Sequence, residues 1–222
     1  MMMEDASGAK RLAAVAGWLL LAGMAAGIGS VVPVIDSADY LSRAAGQERQ
    51  VMTGAFFQFM MILPYAGIPV CLYPIFSRAY KGLSLAAVAC GIMAGVCILA
   101  GVIVLLLLLT LSQTFHSTDI PDLAYFQTLG EVLQTARDLI NHVATTLTFV
   151  AALLLLNWLL YRTRQVPRWL SIWGLVGCAL SLLASLLFMA DFIGLDTPYL
   201  TLNVPIAFQQ LVLGIWLILK GI

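Results

Sequence analysis

ILPYAGIPVCLYPIF, residues 62–76, carries Pro64, Pro69 and Pro74 in apolar surroundings. Each proline removes a backbone donor and clashes with the carbonyl four residues earlier, so such a run breaks a helix in water. A membrane-spanning helix tolerates such breaks, because neighbouring helices re-satisfy the freed groups. Prolines five residues apart advance by about 140° each, so the rings spread around the helix and do not add up to one bend. They free the carbonyls of Met60, Tyr65 and Val70. Threonines, amides or tyrosines of adjacent helices are the expected donors, which requires this segment to be buried on several sides. A kinked segment lining a ligand site, as in transporters, is the functional counterpart of that reading.

The rest of the chain has the same character. Of its 222 residues 62% are hydrophobic and 10% charged, and mean hydropathy is +0.99. Soluble domains carry about 25% charged residues, so lipid is the expected solvent. Net charge is zero, with no basic tract suited to nucleic acid. Cys71, Cys90, Cys97 and Cys178 all fall in apolar runs without a CxxC pair, so they read as small hydrophobes. No metal centre or cofactor is expected.

A helix needs roughly 20 residues to cross about 30 Å of hydrocarbon. Six segments qualify: 12–35, 53–76, 82–112, 142–162, 168–194 and 202–220. The first exceeds a signal-peptide core of about 7 to 15 residues and is expected to be a retained span. Period-2 alternation is missing, which excludes a barrel. The predicted fold is an all-α integral membrane bundle of six helices in one domain, 1–222.

Six spans place Lys10, Arg11, Arg78, Lys81, Arg162, Arg164, Arg168 and Lys220 on one side, eight of the eleven basic residues. Only Arg43, Arg49 and Arg137 fall opposite, with nine of the eleven acids. Basic loops stay in the cytoplasm, so both termini are expected there. Trp158, Tyr161, Trp169 and Trp173 beside the basic fourth loop read as interfacial anchors.

Residues 119–141 are too polar to span. Phe126, Leu129, Leu133, Ala136 and Ile140 form an amphipathic stripe, expected from about Pro121 and lying at the outer interface before the fourth span. On this helix Glu131, Thr135, Asp138 and His142 share a face, with Thr145 and Thr146 one turn on. Asp138 and His142, at i and i+4, could share a proton, but two ligands do not make a zinc site. Asn157, Gln58, Gln209 and Gln210 are amides suited to joining spans. Asp191 lies near the outer end of the fifth span, where an ionisable residue suggests function. Small residues in AGMAAGIG (22–29) and GIMAGVCILAG (91–101) mark packing seams. No acid or base lies near a span centre, and GxSxG, phosphate loops and histidine pairs are missing. An enzyme is therefore not the first expectation.

Several stretches carry a resemblance. LLYRTRQVPRWLSIWGLVG (159–177) and VPIAFQQLVLGIWLILKGI (204–222) resemble the inner loop and closing signature of the bacterial membrane proteins grouped as domain-of-unknown-function family 4386. RDLINHVATTLTF (137–149) and CLYPIFSRAYKGLSLAAVACG (71–91) resemble further parts of it. The resemblance implies a six-helix protein of the bacterial cytoplasmic membrane, with its biochemical role open. Relatives commonly carry an Arg and a Glu early in the third helix, where this chain has Gly91 and Ala94. They carry an acid where it has Gln210. The resemblance thus implies a charged network between the third and last helices of relatives, lost as a unit here.

The functional expectation is binding of a small apolar ligand, a lipid or a partner helix inside the bundle, with Asp138, His142, Asn157, Gln210, Gln58 and Asp191 as candidate residues. The alternatives are a membrane enzyme or proton-coupled transporter using Asp138 and His142, and an accessory subunit of a membrane complex.

Overall fold

A computed structural model describes residues 2–37, 39–118 and 122–222, with side chains from residue 8 onward. The expected helix start at Pro121 lies outside these residues. The described residues are 87% helical, with no strand among them. Its helices are α1 (Met2–Gly29), α2 (Tyr40–Arg43), α3 (Glu48–Met60), α4 (Ile62–Ser117), α5 (Leu123–Asp138), α6 (Thr145–Thr163), α7 (Arg168–Met189) and α8 (Thr197–Leu219). A π-helical turn, Leu139–Ala144, joins α5 to α6. By length and composition, five continuous helical stretches can cross a membrane, the longest being Ala45–Ser117.

That longest stretch, of 73 residues, would reach about 110 Å if straight. Instead it breaks at Tyr80, whose backbone leaves helical geometry (φ −136°, ψ 55°). The two halves fold back on each other: Ile62 packs on Gly95, Pro69 on Gly91, and the Gln58 amide over Gly101. Arg78 and Lys81 flank the reversal, where the sequence places an inner loop.

Of the three prolines, Pro64 and Pro69 are buried and Pro74 is exposed. The segment packs against α1, α6 and its own returning half, leaving a strip at Leu63, Val70 and Pro74 facing out. The carbonyl that Pro69 frees is met in an unexpected way. A Cβ at Gly91 would lie 2.6 Å from the Tyr65 oxygen and 2.6 Å from Pro69 Cγ. A residue without a side chain, rather than a hydroxyl or an amide, closes the helix onto that carbonyl.

Two apolar cores result. One joins α1, α4, α6, α7 and α8 around Leu20, Leu72, Phe76, Leu153, Leu160 and Leu217. The other is formed by the loop after α1, α2, α3 and the far end of α4, around Ile35, Tyr40, Val51, Ile98, Leu105 and Phe126. The α5 stripe packs into this second core through Phe126 and Leu133, and α5 runs on into α6 as one 41-residue helical stretch. α1 ends at Gly29, and Val32, Val34 and Ile35 pack into the second core from a loop rather than extending the helix. Ser112 ties this loop region down: its hydroxyl donates to the Leu41 carbonyl (2.7 Å) and accepts from the Ala45 amide (2.9 Å).

Helix crossings use glycine where backbones touch. A Cβ at Gly17 of α1 would come within 2.6 Å of the Gly214 oxygen of α8, and one at Gly177 of α7 within 3.0 Å of the Ile206 Cα. Such close backbone approach drives helix association in lipid; within the stretches 22–29 and 91–101, Gly23 meets Pro64 and Gly91 meets Pro69. At the basic loop between α6 and α7, Arg162 lies 5.9 Å from the Trp158 ring and Arg168 5.6 Å from that of Tyr161.

Candidate functional site: a polar cleft in the bundle

α1 and α8 meet at Gly17 and Gly214. Toward the opposite end of the bundle a chamber of about 270 Å³ lies between them, closed behind by α4 and α6. A second chamber, about 390 Å³, continues from it past Gly27, Met61, Tyr65, Asn141, Thr145 and Thr146, residues that line both. A recess of about 410 Å³ then shares Asp36, Arg137 and His142 with the second chamber and adds Gln134, Asp138 and Leu195. The chambers are similar in size to small-molecule sites, which run about 300–1,000 Å³.

Apart from Asp36, Arg137, Asp138 and His142 toward the mouth, the polar lining comes from uncharged groups on four helices and the π turn. Gln58 Nε2 donates to Asn141 Oδ1 (2.9 Å), joining α3 to the π turn. Ser181 Oγ donates to Asn203 Oδ1 (2.6 Å), joining α7 to α8. Gln210 lines the inner chamber. Thr145 is 6% exposed, borders both chambers, and its hydroxyl has no protein partner. Behind them Tyr65 stacks on Phe149, centroids 3.7 Å apart.

The π turn positions this lining. Ser185 Oγ (2.8 Å) and Tyr199 OH (3.4 Å) both donate to the His142 carbonyl, one from α7 and one from α8. A π turn carries an extra residue and recurs at functional sites; here it brings Asn141 and Thr145 to the cleft. The His142 ring packs edge-on against Tyr199 (5.3 Å) and Phe188 (6.3 Å).

At the mouth, Arg137 is only 9% exposed. It donates to Asp36 Oδ1 at 2.6 Å and lies 3.9 Å from Asp138. Gln134 Nε2 donates to the Ile35 carbonyl (2.6 Å). Together they fasten the loop after α1 across the outer end of the cleft. On the far side of α5, burial and then the Glu131 carboxylate raise the Tyr40 phenol above its ordinary value.

Gln58, Gln210, His142 and Asp138 thus border one continuous cleft. Asn157 does not. It is 1% exposed and belongs to a three-helix seam, its amide seated on Gly174 of α7. Its Oδ1 accepts from Gln209 Nε2 of α8 (3.0 Å) and its Nδ2 donates to the Leu153 carbonyl (2.9 Å). Asp191 does not either: it is exposed in the α7–α8 turn with a left-handed φ of 60°. Ser181 and Asn203 escaped the sequence reading, and their only signal was a polar residue on an otherwise apolar helix. No cluster of three His, Cys, Asp or Glu side chains fit for a metal occurs among the described residues.

A family profile described as Domain of unknown function (DUF4386) matches residues 15–221. The chain belongs to this family. No match was found among curated proteins or solved structures. For this DUF4386 member the expected counterpart of a charged network between the third and last helices is corrected: no Cα of α8 lies within 8 Å of one in α4. Gly91 is buried against Tyr65 and Pro69, while Gln210 looks into the cleft. The two positions serve different surfaces, so their loss as one unit has no support in this chain. DUF4386 membership and the apolar helices make it an integral membrane protein.

Proposed function

We propose that this protein crosses the bacterial cytoplasmic membrane six times, with both termini inside, and holds a small uncharged ligand in the cleft. The break at Tyr80 supports the sixth crossing, because antiparallel halves of one helical stretch each return across the bilayer. Basic residues at Arg78, Lys81, Arg162, Arg164 and Arg168 support the orientation.

The observation that carries the ligand is a cavity bordered by Thr145, whose hydroxyl is enclosed and has no protein partner. A buried hydroxyl left unpaired costs about 1–3 kcal/mol. Asn141, Thr146 and Gln210 line the same walls. Polar groups at membrane depth face a cavity or another helix when they serve function.

Native mass spectrometry of the protein released from membranes tests this. A retained small-molecule mass is expected on the wild type and is lost when Thr146→Trp fills the junction of the chambers. Thermal unfolding checks that this variant folds. A wild type without such a mass, or a mass that survives in a folded variant, overturns the reading.

The proton-coupled alternative draws on one observation, that Asp138 and His142 border the same recess. It requires a pH-dependent flux in vesicles that Asp138→Asn or His142→Gln abolishes. The ligand-binding reading expects both variants to change stability only.

A further inference from the structure

The inner chamber has a mixed lining: Thr145, Asn141, Asn203 and Gln210 offer hydroxyls and amides, and Leu19, Met24 and Ile206 offer apolar surface beside them. No Asp, Glu, Lys, Arg or His lines it. An ionised head group placed there would be desolvated without a counter-charge, at a cost of several kcal/mol. The occupant is therefore neutral, with both hydrogen-bonding and apolar parts.

The chamber also opens sideways. Ala207 lines it and is at the same time exposed, between the exposed flanks of Val204 and Phe208 on α8. Across the opening stand Leu19, Gly23 and Met24 of α1. The two helices are pinned at Gly17 and Gly214, and the gap lies beyond that crossing, along their apolar flanks. Its outer neighbour there is acyl chain, not water.

We infer that the inner chamber takes a neutral single-tailed lipid, of the monoacylglycerol or long-chain alcohol class, admitted from the bilayer between α1 and α8. The inference rests on the ligand-binding reading above. The hydroxyl or ester end reaches Thr145 and the amides, and the tail trails out past Ala207. Thr145 borders the chamber with an enclosed, unpartnered hydroxyl, which a change of rotamer brings to this head group.

The test uses a monoacylglycerol with a diazirine in its tail, at trace level in phosphatidylethanolamine–phosphatidylglycerol vesicles holding the full chain. Crosslinks are mapped by peptide mass spectrometry. Label is expected to concentrate on residues 19–27 and 203–210. It should fall at least fivefold in Thr145→Val, which is close to isosteric, and in Ala207→Trp, which blocks the opening. Thr145→Val should leave the melting temperature unchanged or raised, because it removes an unpaired buried hydroxyl; a structural threonine would instead lower it. The matching fatty acid, held ionised at pH 10 because the bilayer surface raises its carboxyl pKa, should label less than a fifth as strongly as the monoacylglycerol at the same pH.

Label spread evenly over all lipid-facing helices, or unmoved by both variants, overturns the inference. Equal labelling by the fatty acid overturns the neutral head group. A retained mass in native spectra without monoacylglycerol labelling removes the lipid class but leaves the ligand-binding reading. Loss of both removes the reading itself.

Discussion

Gly91→Ala is expected to destabilise the bundle by about 1–3 kcal/mol, and Gly91→Leu to leave little folded protein. A Cβ at this position meets a backbone oxygen, that of Tyr65, and the ring of Pro69, both at 2.6 Å. Neither atom belongs to a flexible side-chain end, so the strain cannot be relieved by a rotamer change. The two halves of α4 must separate instead, and the packing along Ile62, Gly95 and Ala94 loosens with them. Unfolding in mixed micelles, followed by circular dichroism, measures the loss. Gly8→Ala, where a Cβ meets nothing within 4 Å, is the control and should be neutral or slightly stabilising, since alanine favours the helix. Equal stability of Gly91→Ala and the wild type would show that α4 does not close onto the Tyr65 carbonyl.

Asn157→Leu carries the second large effect. Asn157 and Gln209 are 1% and 0% exposed, and Gln209 Oε1 already lacks a partner. Removing the Asn157 amide strands Gln209 Nε2 with only the Leu170 carbonyl at 3.4 Å. A stranded buried polar group costs about 1–3 kcal/mol, whereas replacing both partners by apolar groups is close to neutral. The double variant Asn157→Leu/Gln209→Leu is therefore expected to be more stable than Asn157→Leu alone. Strict additivity of the two single losses would mean that the amides do not act as a pair. Because the seam lies apart from the cleft, monoacylglycerol labelling should persist in the double variant, separating structural amides from ligand-facing ones.

The contrast between Asn157 and Gln210 shows where sequence reasoning stops. Both are amides on apolar helices, and spacing alone treats them alike. One turns out to be locked between α6, α7 and α8, and the other looks into a cavity. The stripe from Phe126 to Leu133 was legible because burial of one helix face imposes its period on the sequence. That it packs on the second core, rather than on lipid, depends on α2 and the far end of α4, which are distant in sequence. Asp138 and His142 were grouped by α-helical spacing, yet the helix passes through a π turn there, and Asn141 and Thr145 come to the cleft as well. The turn is held by Ser185 and Tyr199 from other helices, so no local pattern announces it.

What the sequence by itself determined is the solvent and the helical fold. Hydrophobic length acts locally, and the bilayer reads it segment by segment. The cleft, the closure of Gly91 onto the carbonyl freed by Pro69, and the unpaired Thr145 hydroxyl were decided only by tertiary structure. Each depends on which helices lie side by side, and a uniformly apolar exterior leaves that choice to glycine contacts and a few amide and hydroxyl bonds between distant residues.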